Sequence, residues 1–153
     1  SQNGQSILDL GCGWGAISIF AAKFFKSQNL DYTISAVDVN SLAVKLANLN
    51  FKNLNIERAK AELVPSDTKL LKQNQSLKNY DLILSNPPIR IGKAELKELL
   101  SFWLGHLNTN GKAILVIQKN LGSDSIIKWI NQETVWTATK LASSKGFRII
   151  EVE

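Results

Sequence analysis

This chain of 153 residues contains a single cysteine and a single histidine. One cysteine excludes an intrachain disulfide, which fits a reducing, cytoplasmic setting. One cysteine with one histidine argues against a structural zinc site, and no metal is expected. Proline occurs three times, and two of the three stand together at Pro87 and Pro88. No run reaches the ~18 apolar residues of a membrane span. No secretory signal is visible either. Acidic residues are the minority: 13 stand against 18 lysines and arginines, for a net charge of +5. That balance admits a polyanionic partner without identifying one. Apolar content is 44%, enough for one packed domain of this length. Ser1 lies only a few residues before the first apolar run. We therefore expect a single domain over 1–153 from which an N-terminal segment is missing.

Residues 6–10 (Ser-Ile-Leu-Asp-Leu) read as a short apolar strand. Gly11-Cys12-Gly13-Trp14-Gly15 follows. Ile17, Phe20, Ala21 and Phe24 then recur at helical spacing and predict a helix over 16–25. Strand, glycine turn and helix form the context of a nucleotide-cofactor loop. Glycines there let the backbone approach a ligand closely. Residues 33–37 predict a second strand ending at Asp38. An acidic residue about 20 positions after such a loop can bind both ribose hydroxyls. Asn40 or Ser41 then caps the next helix, over 41–50. Cys12 sits inside the loop, where a small residue is needed, so its expected role is packing rather than nucleophilic attack.

The most distinctive residues are Asn86-Pro87-Pro88-Ile89, directly after an apolar strand over 80–85. Two prolines remove two backbone donors and fix φ. The first also holds Asn86 extended. The result is a stiff corner that presents one carboxamide at a strand end. Its oxygen, with a nearby rigid carbonyl, can accept both hydrogens of a planar NH₂ group. That is the requirement for methylating an amino nitrogen whose lone pair is delocalised. Gly11, Gly13 and Ala16 also satisfy the dinucleotide pattern G-x-G-x-x-A. A nicotinamide oxidoreductase therefore remains open from the loop alone. Asp9, placed to meet a cationic amino-acid end, and the Asn-Pro-Pro corner argue against it.

Asp9-Leu10-Gly11-Cys12-Gly13-Trp14-Gly15, Asp38 and Asn86-Pro87-Pro88-Ile89 together resemble the class I S-adenosylmethionine-dependent methyltransferases. Residues 85–93 and 111–119 resemble, more narrowly, the small methyltransferase domain of ribosomal RNA guanine-N2 methyltransferases. The resemblance runs from Ile7 to Val152. It implies S-adenosylmethionine as cofactor and guanine N2 of small-subunit ribosomal RNA as acceptor, with RNA or the small ribosomal subunit as partner. It implies catalytic roles for Asn86, Pro87, Pro88 and Ile89. Cofactor contacts are implied for Asp9, Gly11, Cys12, Gly13, Asp38, Val39 and Asn86. In this family an acidic residue after the third strand meets the adenine amine, and Ala61-Glu62 occupies that place. Ile89 departs from the aromatic found in many amino-methylating relatives, so it offers apolar contact without a π face. A protein glutamine amide and a DNA adenine amine remain alternative acceptors. A non-catalytic RNA-binding module with a vestigial pocket is a third class.

Arg90, Lys93 and Lys119 follow strand ends at 85 and 118. Carboxyl ends of strands form the ligand edge of open α/β sheets, so these cations are candidates to grip RNA phosphates. Lys97 serves that role or simply belongs to a solvated helix face. Residues 55–59 read as a third strand and 60–79 as a polar connector with one helical turn. A helix is expected over 93–107, a strand over 112–117 and a helix over 123–131. The last expected elements are strands over 135–142 and 147–152 joined by a turn at 143–146. Alternating units with a final hairpin imply a mostly parallel α/β sheet ending in antiparallel strands. The resemblance makes that sheet seven-stranded and doubly wound, a Rossmann-like methyltransferase fold.

Overall fold

The computed structural model describes residues 4–73, 78–87 and 91–153, with Leu121 described by its backbone alone. Pro88, Ile89 and Arg90 lie outside the described residues. Seven strands form one sheet: β1 (Gln5–Leu10), β2 (Tyr32–Asp38), β3 (Ala59–Leu63), β4 (Tyr80–Ser85), β5 (Leu107–Gln118), β6 (Ala138–Ser144) and β7 (Phe147–Val152). Among the described residues five α-helices accompany them: α1 (Ala16–Ser27), α2 (Ser41–Asn53), α3 (Thr68–Lys72), α4 (Lys93–Leu104) and α5 (Ser123–Glu133). The strand order is β3-β2-β1-β4-β5-β7-β6. All pairs from β3 to β5 are parallel, and β7 is antiparallel to both its neighbours. The expected doubly wound sheet with a terminal hairpin is therefore present.

Right-handed crossovers explain the layers. The chain moves outward through β2 and β3, which puts α1 and α2 on one face. It then returns past β1 to β4 and β5, which puts α3 and α4 on the other. The larger core lies on that second face, where Leu71, Leu100, Trp103 and Ile130 pack on Leu8, Ile83, Leu115 and Ile150. On the first face, Ala21, Ala22 and Phe25 of α1 cover Ile7 and Ile34. Ala47 and Phe51 of α2 cover Ala36 and Ala61.

Several boundaries differ from expectation. The third strand is Ala59–Leu63 rather than 55–59. Residues 54–56 instead close α2: Asn55 adopts φ 55°, and the Ile56 N–H donates to the Phe51 carbonyl at 2.8 Å. β5 starts at Leu107, five residues early, because Gly105 ends α4 and Tyr80 pairs with Leu107. Ser143 and Ser144 belong to β6. The hairpin turn is Lys145-Gly146, with φ of 48° and 82°. Two positive φ values are what a two-residue type I′ turn requires.

Candidate active site

The strand order reverses between β1 and β4, and open α/β sheets bind ligands at such a point. There Leu10 pairs with Ser85, and the Ser85 hydroxyl donates to the Leu10 carbonyl at 2.9 Å. The next residues are Gly11 on one strand and Asn86 on the other. A Cβ built on Gly11 would lie 3.9 Å from the Asn86 carbonyl oxygen. The glycine turn and the Asn-Pro corner are thus neighbours across the switch point. Both line a cavity of about 560 Å³ with Asp38, Val39, Ile91 and Trp103. Asn86 is exposed and Pro87 is buried, so the proline anchors the corner while the carboxamide stays accessible.

The glycine turn is held by its own backbone and by Asp38. The N–H groups of Gly11 and Cys12 both donate to the Val37 carbonyl at 2.9 Å. Gly13 N–H donates to Asp38 Oδ2 at 2.9 Å, and Asn40 N–H donates to Asp38 Oδ1 at the same distance. Each carboxylate oxygen has a second lone pair, so Asp38 retains two acceptor sites. Asn40 caps α2 by accepting from Leu42 and Ala43. That leaves Asp38 to the turn and the cavity. Gly11, Gly13 and Gly15 have φ of 76°, 54° and 97°. A Cβ on Gly13 would meet nothing within 4 Å, so its side of the turn is open to a ligand.

Gly15 is different. A Cβ there would lie 2.9 Å from Phe51 Cε1. Gly15→Ala therefore combines a left-handed residue with a clash against α2. It should cost about 2–3 kcal/mol and lower Tm by roughly 5–10 °C. Gly13→Ala should cost clearly less. Thermal unfolding followed by circular dichroism compares the two.

Asp9 is completely buried and does not line the cavity. Its Oδ2 accepts from the Ser18 hydroxyl at 2.6 Å and the Ser18 N–H at 3.1 Å. Its Oδ1 is buried with no partner. Desolvation raises its pKa above the ordinary carboxylate value, against the lowering effect of Ser18. The structure thus ties Asp9 to Ser18 at the start of α1 and leaves one carboxylate oxygen without a partner at the foot of the glycine turn. Ser18 was missed by sequence reasoning; its only signal was a small polar residue on the buried stripe of α1.

Cys12 is buried, and burial pushes its thiol up to about 12, with further increases from Asp9 and Asp38. It is a thiol at neutral pH and belongs to the core beneath α2. Ala61 and Glu62 do not line the cavity. Asn48 bridges the Ala61 backbone with two 2.9 Å hydrogen bonds, while Glu62 is exposed and pairs with Lys60 at 3.3 Å. The wall on that side is built by Val64, Pro65, Ser66 and Asp67. Asp67 caps α3 by accepting from Lys69 N–H. Lys93 and Lys119 are exposed where α4 begins and β5 ends. Lys97 stands 5.7 Å from the Trp129 ring centroid, which commits its side chain to packing. No group of acidic, histidine or cysteine side chains among the described residues is arranged to hold a metal. No helix among them is long and apolar enough to cross a membrane.

The methyltransferase small domain model matches residues 1–151. The chain belongs to this family. It is 35% identical to the uncharacterized protein YbxB of Bacillus subtilis, over 96% of this chain and 69% of that protein. It is 30% identical to ribosomal RNA small subunit methyltransferase C of Aliivibrio fischeri, over 96% of this chain but only 40% of that enzyme. SMU.1697c of Streptococcus mutans, solved with S-adenosylhomocysteine, shares the fold at a TM-score of 0.72 and 14% identity, over 99% of this chain and 89% of that one. The family decides between the two readings of the glycine loop: this is a methyltransferase fold with S-adenosylmethionine as cofactor, and the nicotinamide reading falls.

Proposed function

We propose that this domain methylates an exocyclic amino nitrogen, namely guanine N2 of small-subunit ribosomal RNA. The observation that carries the reading is Asn86, exposed at the cavity edge and one residue beyond the Leu10–Ser85 pair that ends β1 and β4, directly across from Gly11. S-adenosylmethionine supplies an activated sulfonium methyl. The chain's task is then to position the acceptor nitrogen at attack distance. Asn86 Oδ1 and the Pro87 carbonyl accept the two amino hydrogens. As positive charge develops on nitrogen, these acceptors bind the transition state more tightly. The proton then leaves to water.

Asp38 takes the ribose hydroxyls, with Val39 beside it. Gly11, Cys12 and Gly13 give the methionine end close backbone access, and Asp9 acts on its ammonium through water. Ala61 and Glu62 stay candidates for the adenine side, where 64–67 forms the cavity wall. Pro88 and Ile89, outside the described residues, are assigned to the acceptor base by the sequence resemblance alone, and Arg90 to RNA phosphate on the same ground. Lys93 and Lys119, exposed where α4 begins and β5 ends, hold phosphates. An unpaired or flipped base is the required substrate form, because a paired guanine amine is engaged in the duplex. A ribosomal substrate places the reaction in the cytoplasm.

The match to ribosomal RNA methyltransferases over nearly the whole chain supports RNA. A tritium-methyl transfer assay on total RNA, ribosomal particles and cell protein tests it. Label in small-subunit RNA, mapped by mass to a guanine N2, is expected. Label confined to protein, or to an adenine, overturns it.

A further inference from the structure

Past the cavity, the same sheet edge holds a second polar corner. On the face covered by α4 and α5, the cross-strand partners Ala113–Val152 and Leu115–Ile150 form a buried apolar row. The next pair in that row is Ile117 with Arg148. An arginine therefore stands where the pattern calls for an apolar residue, beside the carboxyl end of β5. Its side chain is only 13% exposed, and its Nε is buried without a partner among the described residues. Its Nη1 reaches the first turn of α5 and pairs there with Asp124. That carboxylate is 76% exposed, so water weakens the pair. A nearly buried guanidinium with one solvated partner is costly unless a further anion meets it.

The turn it meets is rich in donors. Gly122 precedes α5 with φ 99° and supplies no side-chain cap. The first helical hydrogen bond runs from the Ile126 N–H to the Gly122 carbonyl at 3.0 Å. The N–H groups of Ser123, Asp124 and Ser125 come earlier and have no acceptor within the helix. Ser123 is completely buried, and its hydroxyl also has no partner among the described residues. A Cβ on Gly122 would meet nothing within 4 Å, so the chain leaves that side of the turn open. Lys119 and Lys145 are exposed nearby. The Lys119 N–H donates to the Gly146 carbonyl at 2.7 Å, which ties the hairpin tip to the end of β5.

We infer that the first turn of α5, with Arg148, Ser123, Lys119 and Lys145, binds a backbone phosphate of the acceptor RNA beside the base held at Asn86. The inference rests on RNA as the acceptor. Two buried donors without partners, Arg148 Nε and the Ser123 hydroxyl, meet at one uncapped helix start. Free N–H groups and the helix dipole favour an anion there. A guanidinium fork matches phosphate oxygens and leaves no proton to lose near neutral pH. Position selects the phosphodiester of RNA over a free anion. β7 lies two strands from β4, roughly 10 Å across the sheet, so the backbone flanking the acceptor base runs over this corner toward the hairpin. Asp124 is the built-in competitor: its carboxylate holds Arg148 in the free chain and swings into water when phosphate arrives.

Fluorescence anisotropy of a labelled single-stranded oligoribonucleotide, with the full-length protein saturated with S-adenosylhomocysteine, tests the site without any methyl transfer. Arg148→Gln should weaken binding about tenfold and lower the salt slope by about one, the mark of one lost phosphate contact. Asp124→Asn should tighten binding in the wild-type background and change little in the Arg148→Gln background, because the two residues compete through one contact. A general change of surface charge would act alike in both backgrounds, and that result overturns the proposal. So does equal RNA affinity of wild type and Arg148→Gln, which leaves the proposed acceptor to stand on the transfer assay. Wild-type protein that binds neither the oligoribonucleotide nor small-subunit ribosomal RNA overturns the site and the RNA reading together. Should Arg148→Gln not fold, amide correlation spectra of the wild-type protein decide. The oligoribonucleotide should shift the signals of residues 122–125, and unmoved signals there overturn the proposal.

Discussion

Asn86→Ala lowers methyl transfer by roughly 10²–10³-fold, the cost of removing one oriented partner of the transition-state charge, while S-adenosylhomocysteine binds within a few-fold of wild type. The loss falls on kcat rather than on cofactor affinity, because the carboxamide is assigned to the acceptor. Asn86 is exposed at the cavity edge, and an exposed substitution typically moves stability by no more than about 0.5 kcal/mol. An unfolded variant is therefore not the expected explanation of lost activity. Asn86→Asp is the informative companion. It keeps an acceptor oxygen but adds a charge at the mouth of a site for which a polyanionic substrate is proposed. It should retain more activity than alanine at high salt than at low salt. Single-turnover transfer and calorimetry with S-adenosylhomocysteine measure the two halves. Wild-type turnover by Asn86→Ala would remove the corner from the chemistry.

Gly11, Asp38 and Asn86, which the structure brings to one cavity, were legible because their backbone requirements are local. Glycines with positive φ, an acid at the end of the second strand and an Asn before two prolines each announce a backbone requirement. The sheet order then brings them together, and no single residue had to be guessed from a distant partner. What stayed hidden depends on tertiary neighbours. Ser18 gives no sign in sequence that it will donate twice to Asp9. The wall from Val64 to Asp67 was obscured because the third strand is expected over 55–59. The α2 terminus takes residues 54–56 instead, with Asn55 in the left-handed region, and β3 starts four residues later than expected, at Ala59. Glu62 moved with it and ended exposed beside Lys60. By charge Lys97 reads equally as a phosphate ligand or as part of a solvated helix face; its ammonium stands 5.7 Å from the Trp129 ring centroid. Boundaries and long-range partners are set by packing, which periodicity alone does not encode.

Asp9→Asn separates a carboxylate kept for the cofactor from one kept for the fold. Burial raises the pKa of Asp9 in the folded chain, whereas the unfolded chain has the ordinary value of about 3.9. The folded state therefore holds its proton more tightly. The stability this contributes is complete below the unfolded pKa and is lost as pH rises through the folded one. Asparagine carries no such proton. The Tm of the variant relative to wild type should accordingly climb as pH rises from about 4 toward 7. In the same variant the S-adenosylmethionine affinity should fall roughly ten- to a hundredfold, the range of one charge-assisted interaction. Thermal unfolding across that pH range and calorimetry at neutral pH read the two effects independently. A pH-independent Tm difference with unchanged affinity would reduce Asp9 to a pin for Ser18 and the start of α1. A variant that becomes relatively more stable at neutral pH yet binds cofactor poorly would show a buried charge retained against the fold because the ligand needs it.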